Sequence, residues 1–379
     1  MAETRTPTKA PISEQPQPPP RPQAAEPPVI TRRRAALAVV VALALGLGAL
    51  ALVGSLAHYD RVASALSNAD RAWLPLCLVG VLAAYAGYIV AYRDIARAEG
   101  GPALDLWTVT RVVVVGFGAT VVGSSAGGLA VDLWALHRAG ASADEATCRV
   151  LALNTLEWLV LGLLAMAAGT VVLASGDTGA ERSMSIAWLV VVPLCIVLGW
   201  WVARGARGQR LSRRPEHNPP FERHPGRWPA WGWAQARRGF AAAIGGLVLL
   251  GKILRRPRRY PGAILGYPLY WVGDILCLGA AVRAFDGHPG LAPLVLAYAS
   301  GYVASAIPLP AGGAGGIEAA LALTLHAVGV PLAVAVAGVL VFRAFTFWLP
   351  IVPALIMAPS LRSLYEELPG TPRFADGRP

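Results

Sequence analysis

The sequence predicts an all-α polytopic membrane protein with about six full transmembrane helices and two re-entrant helical hairpins in an inverted repeat. Three observations predict it. Hydrophobic residues make up 55% of the 379 positions and charged residues 15%, with a mean hydropathy of +0.52. The apolar residues come in blocks close to the ~20 residues a helix needs to cross a bilayer core. Two glycine-rich segments that end in a carboxylate, Gly116 to Asp132 and Pro308 to Glu318, break that apolar background.

Residues 1–31 come first. Nine prolines between Pro7 and Pro28, with little apolar surface, predict a disordered cytoplasmic tail. The membrane domain is expected over 32–361. Its first block, Ala35 to Ala57, follows Arg32, Arg33 and Arg34, but the long hydrophilic stretch upstream argues for an uncleaved span rather than a secretory signal. Trp73 to Tyr92, Arg149 to Ala174, Ile186 to Ala203, Gly262 to Ala284 and Pro331 to Met357 complete the six. A basic cytoplasmic loop is expected over 204–261, and a cytoplasmic C-terminal tail over 362–379.

Arginine placement orients the chain. The stretch from Arg204 to Arg238 holds nine arginines against Glu216 and Glu222, and Lys252 to Arg259 adds five cations. The opposite loops are nearly balanced, so both termini and the basic loop are expected on the cytoplasmic side of the cell membrane. The net charge of +11 is then mostly topology, with a second role in holding anionic lipid open. The loop carries no nucleic-acid-binding module, and nucleic acid is excluded as a partner. Phe240 to Gly251 is apolar, too short to span and flanked by arginines. It reads as an interfacial helix anchored by Trp228, Trp231 and Trp233.

Parity then decides the two glycine-rich segments. Val112 to Leu136 must enter and leave on one side, turning near Gly123 to Gly128, and Leu291 to Val328 must do the same from the other side. Non-helical backbone at membrane depth is tolerated only against protein or a water-filled cavity, so the two hairpins share an interior. They also align. Gly116, Phe117 and Ala119 match Gly301, Tyr302 and Ala304; Ala126 to Gly128 match Ala311 to Gly313. With short insertions Asp132 meets Glu318, His137 meets His326, and Gly140 meets Gly329. Such a repeat places a transport site between broken helices at the midplane.

The motif P-x-P-x-G-G-x-G-x-x-E at Pro308 to Glu318, Arg343 in F-R-A-F, and A-G-G-L-A-V-D-L-W-A-L-H-R-A-G at Ala126 to Gly140 resemble the flippase-like family. It is also called the lysylphosphatidylglycerol synthase transmembrane-region family, and the resemblance runs from about Ala35 to Leu361. It implies an inner-membrane protein that moves a phospholipid, an aminoacylated lipid or a polyprenyl-phosphate-linked substrate between leaflets. In the family's multiple peptide resistance factor a soluble aminoacyl-transferring domain follows the membrane region, whereas this sequence runs to Pro379, so lipid synthesis is not expected of it. Some relatives carry a Gly-Glu and a nearby Arg in the first motif, where this sequence has Gly128 and Asp132.

The candidate substrate-binding residues follow from both lines of reading. Pro308 and Pro310 keep the turn out of helical geometry, and Gly312, Gly313, Gly315 and Gly316 let a headgroup approach the backbone at a helix N-terminus. Glu318 pairs with Arg343, carries a proton, binds an amine, or simply caps the helix. Arg343, deep in its span at an insertion cost of roughly 2.5–3.5 kcal/mol, needs Glu318, Asp274 or a lipid phosphate. Asp132 lies at the cytoplasmic mouth or in the site, and Glu157 pairs with Arg111 or Arg149 or serves the substrate. The expected partners are membrane lipids with anionic headgroups. A homodimer and a separate synthase or glycosyltransferase are compatible with the sequence.

No cofactor or metal is expected. Cys77, Cys148, Cys195 and Cys277 are scattered as small core residues, the histidines show no ligand spacing, and G-G-A-G-G lacks the Lys-Ser/Thr of a P-loop. An enzymatic role has no catalytic motif behind it. Two other classes stay open: a membrane subunit of a glycosyl- or aminoacyl-transferring enzyme, and a non-transporting scaffold.

Overall fold

A computed structural model describes residues 32–56, 69–123, 125–176, 179–208, 228–306 and 313–367, with isolated positions between 57 and 68. The proline-rich tail, the centre of the basic loop, Pro308, Pro310 and Gly312 lie outside the described residues. Among the described residues every regular element is helical. The chain runs α1 (Arg32–Leu56), α2 (Leu74–Ala96), α3 (Leu106–Gly123), α4 (Ser125–Arg138), α5 (Ala143–Ala174), α6 (Ala180–Gly208) and α7 (Trp228–Leu254). It continues as α8 (Pro261–Arg283), α9 (Leu291–Tyr302), α10 (Gly316–Ala327), α11 (Leu332–Arg343), α12 (Ile351–Met357) and α13 (Ser360–Glu367).

Five helical stretches are long and apolar enough to cross a membrane: Arg71–Ala96, Ala143–Ala174, Ala180–Gly205, Pro261–Arg283 and Leu332–Met357. They match five of the six expected spans. The sixth corresponds to α1, in which the apolar stretch Val40–Leu52 is shorter. The protein is a multi-pass membrane protein, and α6 shows it most openly: Leu194, Val197, Trp200 and Trp201 are exposed along a helix whose other face packs against α5, α7 and α9.

The core is the antiparallel pair α2 and α8, the most extensive helix contact in the fold. Glycine makes it possible. A Cβ placed on Gly80 would sit 2.5 Å from the Gly273 carbonyl oxygen, and Gly87 and Gly266 oppose each other in the same way. In lipid there is no hydrophobic drive between helices, so close backbone packing at small residues is what holds such a pair. At one end Asp94 of α2 accepts from the backbone N–H groups of Gly262 (2.6 Å) and Ala263 (3.2 Å), the open N-terminus of α8. Arg97 lies 2.5 Å from the same carboxylate. Asp94→Ala strands those N–H groups and is expected to lower stability by about 1–3 kcal/mol, readable as a lower melting temperature in detergent.

The same end is tied to α5 and α7. Arg149 donates to Ala96 O (3.0 Å) and Ala98 O (3.2 Å), closing free carbonyls at the end of α2, and to Glu145 O (3.2 Å) in its own helix. Glu99 meets Lys252 at 3.3 Å and Arg256 at 3.4 Å, and the hydrogen bond from Lys252 holds its carboxyl below the usual carboxylate range. The segment expected as a short interfacial helix is part of the longer α7, which packs along α5 where Gly245 and Gly246 face Cys148 and Ala152.

The two hairpins are present as packed helix pairs, α3 with α4 and α9 with α10. Helices α9 and α10 have 12 residues each, about 18 Å of rise, which is too short to cross a hydrocarbon core of about 30 Å. Their far ends close alike. His137 Nδ1 meets Ala141 O at 3.0 Å after α4, and His326 Nδ1 meets Val330 O at 3.0 Å after α10. Gly140 (φ 101°) and Gly329 (φ 88°) occupy the same left-handed turn. Both histidines are therefore structural at this ring nitrogen.

Candidate functional site

Helix α10 begins inside the protein. Gly313 and Gly315 adopt φ of 80° and 90°, conformations a side chain disfavours, and turn the chain into Gly316, the first residue of the helix. Two residues later Glu318 folds back: its Oε2 accepts from the Gly315 N–H at 2.7 Å. Its other oxygen, Oε1, accepts from Arg343 Nε at 2.8 Å. The capping and ion-pair readings of Glu318 are thus both realised. The carboxylate is 1% exposed and Arg343 is 7% exposed, and α1 seals it from the other side at Gly46.

Arg343 is the last residue of α11, and a π-helical turn over Ala344–Trp348 follows it. The wider turn swings Phe347 back so that its ring lies 4.1 Å beneath the guanidinium. Nε is committed to Glu318, while Nη2 is buried with no hydrogen-bond partner among the described residues. A buried unpaired donor is costly, and the guanidinium lines the central cavity of the fold.

That cavity has a volume of about 370 Å³. Its wall joins α2, α5, α8, α11 and the two hairpins. Asp132, Glu157, Asp274 and Arg343 all line it, with Tyr85, Tyr88, Tyr270, Tyr302, Trp158 and Phe117 between them. Gly128, Gly313 and Ile317 bring the two hairpin tips to the same space. Asp274 accepts a hydrogen bond from the Tyr298 hydroxyl and does not pair with Arg343.

For two residues the structure narrows the alternatives. Asp132 is 6% exposed and faces the cavity, and its carboxylate has no hydrogen-bond partner among the described residues. Glu157 does not pair with Arg149, which is consumed by the carbonyls after α2, and Arg111 lies with its guanidinium over Trp107 at 5.9 Å, outside the cavity wall. Glu157 instead lines the cavity, and its backbone carbonyl accepts from Trp271 Nε1 at 2.9 Å.

Sequence reasoning missed the tyrosines, and it missed Asn154. Asn154 stands as far after its helix N-cap, Ser142, as Arg343 stands after Pro331, and both line the cavity. One half therefore offers a carboxylate with a guanidinium, Glu318 with Arg343. The other offers Asp132 with a neutral amide whose Nδ2 donates to Val150 O at 2.9 Å. With Glu318 and Arg343 cancelling, the remaining charge on the wall is acidic. Among the described residues no group of His, Cys, Asp and Glu could hold a metal ion.

These features, glycine-broken hairpins converging on buried Glu318 and Arg343, are the ones carried by the sequence motifs. The sequence model of the family described as "Lysylphosphatidylglycerol synthase TM region" matches residues 37–354. The chain belongs to this family. Comparison with the curated proteins gave no match. The family match spans every cavity-lining residue, from Val81 to Phe347. Membership relates the chain to membrane proteins of lipid modification and lipid flipping.

Proposed function

We propose that the protein is a lipid translocase of the cytoplasmic membrane, with both termini inside, and that its substrate headgroup carries an amine beside a phosphate. The observation that carries this reading is the composition of the cavity wall: three carboxylates, a ring of aromatic side chains and a single guanidinium with an unused Nη2. Carboxylates and aromatic faces suit an ammonium group, and Nη2 suits one phosphate oxygen. A wholly anionic headgroup, or a polyprenyl phosphate, meets one donor and three acids. A cavity of about 370 Å³ is within the range that holds a small polar group.

The twin hairpins support an inverted repeat. Their ends close with the same histidine and glycine contacts, and α2 and α8 cross antiparallel. In such folds alternating access comes from one repeat rocking against the other around a fixed midplane site.

The test is leaflet exchange in reconstituted vesicles, read with a membrane-impermeant amine reagent for phosphatidylethanolamine and a headgroup-specific enzyme for phosphatidylglycerol. Phosphatidylethanolamine and an aminoacylated phosphatidylglycerol are expected to exchange at least tenfold faster than phosphatidylglycerol. Glu157→Gln is expected to reduce that preference about tenfold, the equivalent of roughly 1.4 kcal/mol. Faster exchange of phosphatidylglycerol than of the amine lipids would overturn the reading.

A further inference from the structure

We infer that Asp132 is a proton-exchange site, protonated while the cavity is empty and giving its proton up when a cationic group enters, so that lipid movement is coupled to proton movement in the opposite direction. The inference rests on the translocation reading and adds the coupling ion. Its first support is the asymmetry between the two halves. Glu318 has a fixed counter-charge in Arg343 and a backbone donor in Gly315. Asp132, facing the same cavity from the opposite hairpin, has neither, because the position corresponding to Arg343 is occupied by Asn154.

The second support is burial. Asp132 is 6% exposed and its carboxylate has no partner among the described residues. An isolated carboxylate in such surroundings pays a desolvation penalty of several kcal/mol that a proton or a cation removes. A membrane-embedded carboxyl without a partner is by default a carrier of one or the other.

The groups around it fit this role. From α2, Tyr88 lines the cavity and the Tyr92 hydroxyl donates to the Asp132 backbone carbonyl at 3.4 Å, leaving the carboxylate untouched. From α5 the facing residues are Asn154 and Glu157, and Glu157 is a second acid, not a counter-charge. Helix α8 adds Tyr270 and Asp274; α9 adds Tyr302, with Tyr298 engaged by Asp274. On α3, which forms the hairpin with α4, Gly116 and Thr120 face the site, and Arg111 stands outside its wall. His137 and Arg138 lie at the far end of α4. The one cation on the wall, Arg343, is held by Glu318.

The step balances. The O–H bond of the Asp132 carboxyl breaks as the ammonium arrives, the proton passes to water, and the carboxylate neutralises the ammonium. When the headgroup leaves, the carboxylate takes a proton from water on that side. The loaded protein crosses without the proton and the empty one returns with it.

The test has two independent arms. In vesicles containing phosphatidylethanolamine, an imposed difference of one pH unit should draw the lipid towards the acidic side, up to a tenfold leaflet ratio for one proton per lipid. Asp132→Asn and Asn154→Arg, the latter supplying the missing counter-charge, should each lose this response. In micelles, infrared difference spectra at neutral pH should show the carbonyl stretch of a protonated carboxyl that vanishes on adding short-chain phosphatidylethanolamine and is absent from Asp132→Asn. Exchange that ignores the gradient, or a carboxylate already ionised in the lipid-free protein, overturns the inference while the translocation reading stands. A lipid-sensitive carbonyl band without any leaflet exchange in the unmodified protein instead overturns translocation and upholds proton exchange on binding.

Discussion

Arg343→Ala is expected to destabilise the folded protein by about 3–5 kcal/mol, because it strands a buried carboxylate rather than merely deleting a hydrogen bond. Glu318 is 1% exposed and, among the described residues, would keep only the Gly315 N–H as a partner. Arg343 also packs its guanidinium on Phe347, so the substitution opens space where the π-helical turn aims that ring. Glu318→Gln should cost less, since a neutral amide oxygen still accepts from Gly315 and the arginine can turn towards the cavity. The double variant Glu318→Gln/Arg343→Gln removes both charges together and should recover most of the loss. Buried ion pairs contribute little net stability against a neutral replacement, while half of one is costly. Recovery of monodisperse protein after stepwise heating in detergent measures all three. A single alanine variant that melts with the unmodified protein would show that Glu318 is neutralised by something other than Arg343. The double variant separates folding from transport: folded and inactive, it assigns the pair to the headgroup; folded and active, it leaves the pair a purely structural role.

That pair was legible in the sequence, and so were the hairpins around it. Parity forced two turns at membrane depth, and an arginine inside an apolar span demanded a carboxylate. The acids of the other half, Asp132, Glu157 and Asp274, were also named from the sequence and line the cavity, but which of its alternative roles each takes was not legible, for reasons of rotation and depth. Helix α5 is apolar around most of its circumference, so nothing in its pattern tells whether Glu157 turns towards Arg149 or away from it. Arg149 itself is claimed by the carbonyls of Ala96 and Ala98, a contact that depends on where another helix ends. Asn154 gave no signal as a neutral residue in an apolar run. Counting from the helix caps Ser142 and Pro331 would have placed it opposite Arg343.

The glycines of α2 and α8 carry the other large effect. Their sequence signal was also present, an equal spacing of Gly80 and Gly87 in one helix and Gly266 and Gly273 in the other, but only the structure shows that the four meet. Gly87→Leu is expected to abolish folding. A Cβ there would lie 2.6 Å from the backbone nitrogen of Tyr270 and still closer to the Gly266 carbonyl. Overpacking against side chains costs about 1–3 kcal/mol because rotamers can give way; a backbone on a packed helix has no such freedom, so the whole pair must part. Parting it also removes the site, because α2 brings Tyr88 and α8 brings Tyr270 and Asp274 to the same cavity. Gly205→Leu is the matched control: a Cβ on that exposed α6 residue meets nothing within 4 Å among the described residues, and the change should leave yield and melting unaltered. Size-exclusion profiles of fluorescently tagged variants in detergent read both outcomes. A sharp, full-yield peak for Gly87→Leu would mean that α2 and α8 can separate without loss of the fold. The α2–α8 contact would then be a sliding surface, and the rocking of the two halves would take place there rather than at the hairpins.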